Sequence, residues 1–295
     1  MNFEKLTSGY YLEALFVAGD AIWLSDVTQE GIRRLSPDGR LQRWPGKRLI
    51  GGIIVNDDGV VLSSGPGGIS WLDPGSGASG MLIETIDGRP IEGVNEFAAD
   101  SSGAMYFGTI DHPAIERGDT PGPSSLYRLT ADGRCVKVAD GMKFSNAFAL
   151  NADGRRLYHN ETFVGTFVYE VLADGSLGAP TMLLEKPDCD GMALDCEGGI
   201  WITGFESNEL IRVLADGSIE RRIKLPVQAS ATNVFFAGED GRDLYVTAVR
   251  PEAAEELKRG RLPRAPTSFL YRGRSEIPGL AVLRPRFHIR QAPLE

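Results

Sequence analysis

Residues 191–225 read GMALDCEGGIWITGFESNELIRVLADGSIERRIKL, and this stretch decides the fold. It opens on an apolar run, turns at an acidic step rich in glycine, and resumes as GIWITGF at 199–205. Two more strand-like runs, ELIRVL and IERRIKL, then meet across ADGS at 215–218. Alternating apolar and polar positions separated by Asp-Gly turns are hairpin signals, and four such runs predict a small antiparallel sheet.

The same order recurs along the chain. Equivalents of GIWITGF are AIWLSD (21–26), VVLSSG (60–65), AMYFGTI (104–110), RLYHNET (156–162) and DLYVTAV (243–249). Each follows an apolar run: EALFVAG, GGIIVND, NEFAAD, NAFALN, GMALDC and TNVFFAG. Aligning Trp23, Val61, Tyr106, Tyr158, Trp201 and Tyr245 gives steps of 38, 45, 52, 43 and 44 residues. A solenoid would repeat every 20–30 residues or so, and a sandwich needs fewer strands. Six units predict an all-β fold, a six-bladed β-propeller of four-stranded antiparallel blades, as one domain over 1–295. PEAAEELKRGR at 251–261 reads as the helix of an insertion within the sixth unit.

Composition narrows the function classes. Glycine is abundant (36 of 295), while 42% hydrophobic and 24% charged residues are globular values. A net charge of −9 disfavours nucleic acid and anionic membrane as partners. Cys135, Cys189 and Cys196 are too few for a disulfide scaffold and read as free thiols. The opening MNFEKLTSGYYLEALFVAG shows no secretory pattern, and no apolar run nears the ~20 residues of a membrane span, so a cytoplasmic protein is expected.

In a propeller the first strand of each blade lines the axis. The long links, 111–125 and 251–266, both join the second strand to the third and so share one face. That face is the expected mouth. Counting back 10 to 12 residues from the six markers gives Glu13, Gly51, Asn95, Asn146, Asp190 and Asn233 as axial positions. Two carboxylates and up to three carboxamides on one axis are costly to bury unpaired. A divalent cation resolves that cost, and an all-oxygen set favours Ca²⁺, with Mg²⁺, Mn²⁺ or Zn²⁺ as alternatives. Taken singly, each is also an ordinary turn residue bonding its own backbone.

FSNAFALNADGRRLYHNET (144–162), PDCDGMALDCEGGIWITGF (187–205) and VNEFAADSSGAMYFGTI (94–110) resemble the SMP-30/gluconolactonase/luciferin-regenerating-enzyme family. The similarity runs from about Leu12 to Val249. It implies six blades, one divalent metal at the axial mouth, and lactone hydrolysis. Carried over by position, it places metal ligands at Glu13, Asn146 and Asp190, with Asp190 also the general base, and a substrate asparagine at Asn95. Sugar-lactonase members usually have arginine and aspartate where this chain has Gly93 and Glu96, and aspartate at Glu161. Losing a guanidinium removes a multi-donor group suited to a polyhydroxylated substrate.

Phe144, Phe163, Phe205 and Met142 fall near the blade links as candidate apolar walls, with plain packing as the alternative. With Gly93 they favour a less polar lactone or ester. His112, in the first insert, and Asn233 are further substrate candidates. His159 reads as structural, and Cys189 should point away from the axis. No G-x-S-x-G, G-x-G-x-x-G or P-loop pattern is present. The expected function is metal-dependent lactone hydrolysis. The alternatives are phosphotriester hydrolysis on the same fold and a non-catalytic binding scaffold.

Overall fold

The structure, a computed structural model, describes residues 1–289, the side chain of Leu257 excepted. The last six residues of the expected domain lie outside the described residues. The architecture is all-β and propeller-like. Six inner strands, Leu12–Ala18, Ile53–Val55, Gly93–Ala99, Ser145–Leu150, Cys189–Leu194 and Ser230–Ala237, each touch the next, and the last returns to the first. All six markers fall on the strands that follow, from Ala21–Asp26 to Asp243–Val249.

Burial explains the pattern along each unit. Inner strands are covered by neighbouring sheets on both sides, so Cys189–Leu194 is buried at every position, Asp190 included. An outer strand such as Ile219–Lys224 has one solvated side and alternates half-buried with exposed positions.

The hydrogen-bonded sheets do not divide into six sets of four, as the sequence led us to expect. Among the described residues they hold eight, five, four, four, four and two strands. The eight-stranded sheet is continuous only through the pair Gly204↔Ala231, which joins strand Ile200–Gly204 to strand Ser230–Ala237. The five-stranded sheet gains the short strand Gly65–Pro66, which pairs with Gly93 and Val94. The amino terminus has a role the repeats did not reveal. Strand Phe3–Gly9 pairs antiparallel with Ser268–Arg274 and so completes the last sheet with the first residues of the chain. Leu12 N donates to Ser268 Oγ (2.9 Å) and Thr232 Oγ1 to Leu12 O (3.1 Å), fastening the first inner strand beside Glu13.

The helix expected in the second insert runs over Pro251–Lys258. A second, unexpected helix, His112–Arg117, occupies the first insert. Asp111 caps it by accepting from Ala114 N (3.0 Å), and Gly118 ends it in the left-handed region at φ 74°. Here the inserts meet. A Cβ on Gly118 would lie 2.7 Å from the Arg259 carbonyl carbon, and one on Gly260 2.7 Å from Gly118 N.

Turn chemistry anchors the inner strand that carries Asp190. Asp195 accepts from Gly199 N (2.8 Å), Trp201 Nε1 (2.7 Å) and Arg212 Nε (2.7 Å), with its side chain fully buried. Removing one member of a buried pair strands the other charge. Asp195→Ala should therefore cost about 3–5 kcal/mol in denaturant unfolding, whereas adding Arg212→Met should recover part of the loss.

Candidate functional site

Inner strands turn their first residues onto the axis through irregularities in pairing. Register shifts fall between Glu13 and Phe16, Val94 and Phe97, Ser145 and Phe148, Cys189 and Met192, and Ala231 and Asn233. Such bulges re-aim side chains that regular alternation would send between the sheets. Asn95, Glu96, Asn146 and Asp190 sit inside them, and Glu13 at the edge of one whose next residue, Ala14, has φ 52°.

These residues line one cavity of about 860 Å³, with Glu13, Asn95, Glu96, Asn146 and Asp190 among its walls. Helix residues from both long inserts, His112 and Lys258, line it too. Asn146 Nδ2 donates to Asp190 Oδ1 (2.8 Å) and Thr162 Oγ1 (3.1 Å), leaving the Asn146 carbonyl oxygen without a donor among the described residues. Thr162 Oγ1 donates to Cys189 O (2.7 Å) and Asn160 Nδ2 to Asp190 O (2.8 Å), which pins the backbone of the bulge.

Electrostatics set this cluster apart. Burial, then Asp190 and Glu96, push Glu13 far above the ordinary carboxyl range. Burial and the Asp190 charge raise Glu96 to about 8. Asp190 is also raised to about 8, by burial, against the Asn146 hydrogen bond that favours its charge. Their hydrogen-bond partners are amides: Asn233 Nδ2 reaches Glu96 Oε1 (2.7 Å) and Glu13 Oε1 (3.5 Å). Two buried acids, Glu13 and Asp190, and the half-buried Glu96, with no cationic side chain bonded to them among the described residues, match a site that takes a positive ion. Among the described residues no three His, Cys, Asp or Glu side chains are placed to hold one ion. An ion there would take Glu13 and Asp190, the free Asn146 oxygen and water, an oxygen set that fits a hard cation.

A family model described as the SMP-30/gluconolactonase/LRE-like region matches residues 13–250. The chain belongs to this family. Among its relatives, 6-deoxy-6-sulfogluconolactonase of Pseudomonas putida is 28% identical over 82% of this chain and 84% of its own length. Pentonolactonase XacC of Haloferax volcanii is 28% identical over 75% of each chain. A solved luciferin-regenerating enzyme superposes with a TM-score of 0.82 at 19% identity, covering 97% of this chain and 99% of that one, which bears on the fold alone.

Within this family member, Glu13, Asn95, His112, Phe144, Asn146, Phe163, Asp190 and Phe205 all line the large cavity. Asn233 does not. It lies beneath the floor, bonded to Glu96, and the two also line a smaller cavity of about 150 Å³. The sixth axial position is glycine for a reason visible here: a Cβ on Gly51 would lie 2.0 Å from Asn95 Oδ1. His159 is fully buried against Ser145 Oγ (2.9 Å), and Cys189 is fully buried in an apolar cluster. Glu161 Oε1 accepts from Lys143 N (2.9 Å) and holds the loop before Phe144. Sequence reasoning noted Glu96 only as a departure and missed Thr162 and Tyr11, which also line the cavity. The clue to Glu96 was its place beside Asn95, where a bulge presents two successive side chains.

The raised acids fix the sign of a pH effect. Glu96 goes from an ordinary 4.5 to about 8, so between those values the folded, ion-free protein holds more protons than the unfolded chain. Stability is then greatest at low pH and falls as pH rises through that window. Melting temperature of chelator-treated protein should drop from pH 5 to pH 8, and Glu96→Gln should flatten the slope.

Proposed function

We propose that this protein is a six-bladed lactone hydrolase that works with one divalent cation held by Glu13, Asn146 and Asp190, Ca²⁺ favoured. The blade count treats the eight-stranded sheet as two blades sharing one bridging pair, and the closed circle of six inner strands supports it. The observation that carries the functional reading is the set of buried, cation-free acids on the cavity floor. Relatives named as lactonases, at 28% identity over most of their length, supply the reaction class.

When bound, the cation supplies positive charge that offsets the floor carboxylates and polarises a carbonyl oxygen. The remaining roles belong to the chain. Asp190, oriented by Asn146, accepts a proton from the water that attacks the lactone carbonyl. It returns that proton to the ring oxygen as the carbonyl carbon–oxygen bond breaks, giving the hydroxy acid. Asn95 is held by donating to Ser145 O (3.1 Å), which leaves its oxygen to orient the substrate. Asn233 acts through Glu96 as a positioning residue beneath the floor. A binding scaffold has no use for three acids crowded on one cavity floor. Phosphotriester hydrolysis would draw on the same floor and is separated by assay.

Lactone hydrolysis followed by pH-stat should disappear with EDTA and return with Ca²⁺. Asp190→Asn should lower kcat by about 10²–10⁴-fold. Glu13→Gln should raise the Ca²⁺ concentration needed for half-maximal rate. Full activity in EDTA would remove the metal from this account, and faster turnover of a phosphotriester than of any lactone would reassign the reaction.

A further inference from the structure

We propose that the cavity selects lactones bearing an apolar side arm, alkyl or aryl, which seats among Phe144, Phe163 and Phe205. This deepens the lactonase reading and rests on it. Four observations support the assignment.

Size comes first. About 860 Å³ is room for a drug-sized ligand, several times what an unsubstituted lactone ring fills. The acids occupy the floor, so the ring alone would leave the upper part of the cavity empty.

That upper part is aromatic. Phe163 lies between Phe144 and Phe205, edge-on to both, with ring centroids 6.0 and 6.3 Å away. Lys258 Nζ stands 5.0 Å from the Phe205 centroid, but Glu206 and Glu255 already pair with it. No arginine lines the cavity among the described residues.

Phe163 is held at a cost to the fold. Its φ is 74°, in the left-handed region that favours glycine, and its side chain is 47% exposed. A hydrogen bond from Phe163 N to Pro187 O (2.7 Å) keeps the turn in place. Exposure of a large apolar ring on a strained backbone gains the free protein nothing, and such strain gathers at ligand-binding positions.

His112 closes the argument. A Cβ on Gly93 would lie 2.0 Å from His112 Cδ2, so the imidazole fills the space any side chain at position 93 would need. Only 5% of His112 is exposed, and the backbone of Val94 is the polar group its ring meets. Burial keeps it neutral, with its basicity lowered to about 4. Where an arginine at position 93 would present a multi-donor guanidinium, the cavity wall thus holds an uncharged imidazole, a poorer match to a row of hydroxyls.

The test is a homologous series on the Ca²⁺-loaded protein: γ-butyrolactone, its 4-methyl to 4-pentyl derivatives, and an aldonolactone of equal ring size. We expect kcat/KM to rise about three- to fourfold per methylene, the factor for burying one. Phe163→Ala should flatten that rise. Phe163→Gly should raise KM for the pentyl lactone about tenfold without lowering the melting temperature. A flat series, or preference for the aldonolactone, overturns the apolar assignment while the lactonase reading stands. So does a Phe163→Gly variant that melts well below the parent. Calorimetry with 2-pentylcyclopentanone against cyclopentanone, ketones that cannot be hydrolysed, separates the two readings. Tighter binding of the pentyl ketone with no lactone hydrolysed keeps the apolar seat and removes the lactonase.

Discussion

Glu13, Glu96 and Asp190 share one buried floor with amides as their bonded partners, and the rest of the site is organised around that constraint. Burying a carboxylate costs several kcal/mol even after relaxation. A domain has only about 5–15 kcal/mol of net stability to lose. Three uncompensated charges would approach that total, so the floor must either hold protons or hold a cation. A ring of inner strands is what forces the choice: each contributes residues to a common axis, and none can swing its acid out to solvent without breaking its pairing with the strand outside it.

The fold was legible because the repeating element is the second strand of each unit, whose aromatic or branched residue is buried between sheets and so marks its own place. Trp201 and Tyr106, both fully buried, show this most plainly. Axial residues could be reached only by counting from those markers, since bulges break the alternation that would otherwise reveal which side a residue faces. The count drifts from 10 to 12 with turn length, yet it lands on residues that line the floor or lie just beneath it. What stayed hidden depends on distant pairing. Nothing local in FEKLTSG announces that it completes a sheet with residues 268–274, and a single bridge such as Gly204↔Ala231 leaves no compositional trace. The helix His112–Arg117 did carry signals, Asp111 before Pro113 and Gly118 after Arg117, but its six residues are too few for apolar periodicity.

Several of the glycines complement specific larger groups. Gly51 leaves room for Asn95, Gly93 for His112, and Gly118 and Gly260 for each other across the two inserts. Each pairing ties the floor or wall to an element distant in sequence. Glycine at position 93 therefore makes physical sense together with the insert that supplies the imidazole.

Floor and wall thus answer different questions. Charge on the floor bears on what reaction can occur, and shape and polarity of the wall on what molecule arrives. Glu96 shows how closely the first is balanced. A divalent cation neutralises two carboxylates, and Glu13 and Asp190 already provide two. The third acid, when ionised, leaves the floor a full unit negative. Asn233 bonds one of its oxygens from beneath at 2.7 Å, while burial and the Asp190 charge raise its pKa to about 8 in the ion-free floor. The Glu96 side chain, presented by the bulge after Val94, has the reach to meet Asn233.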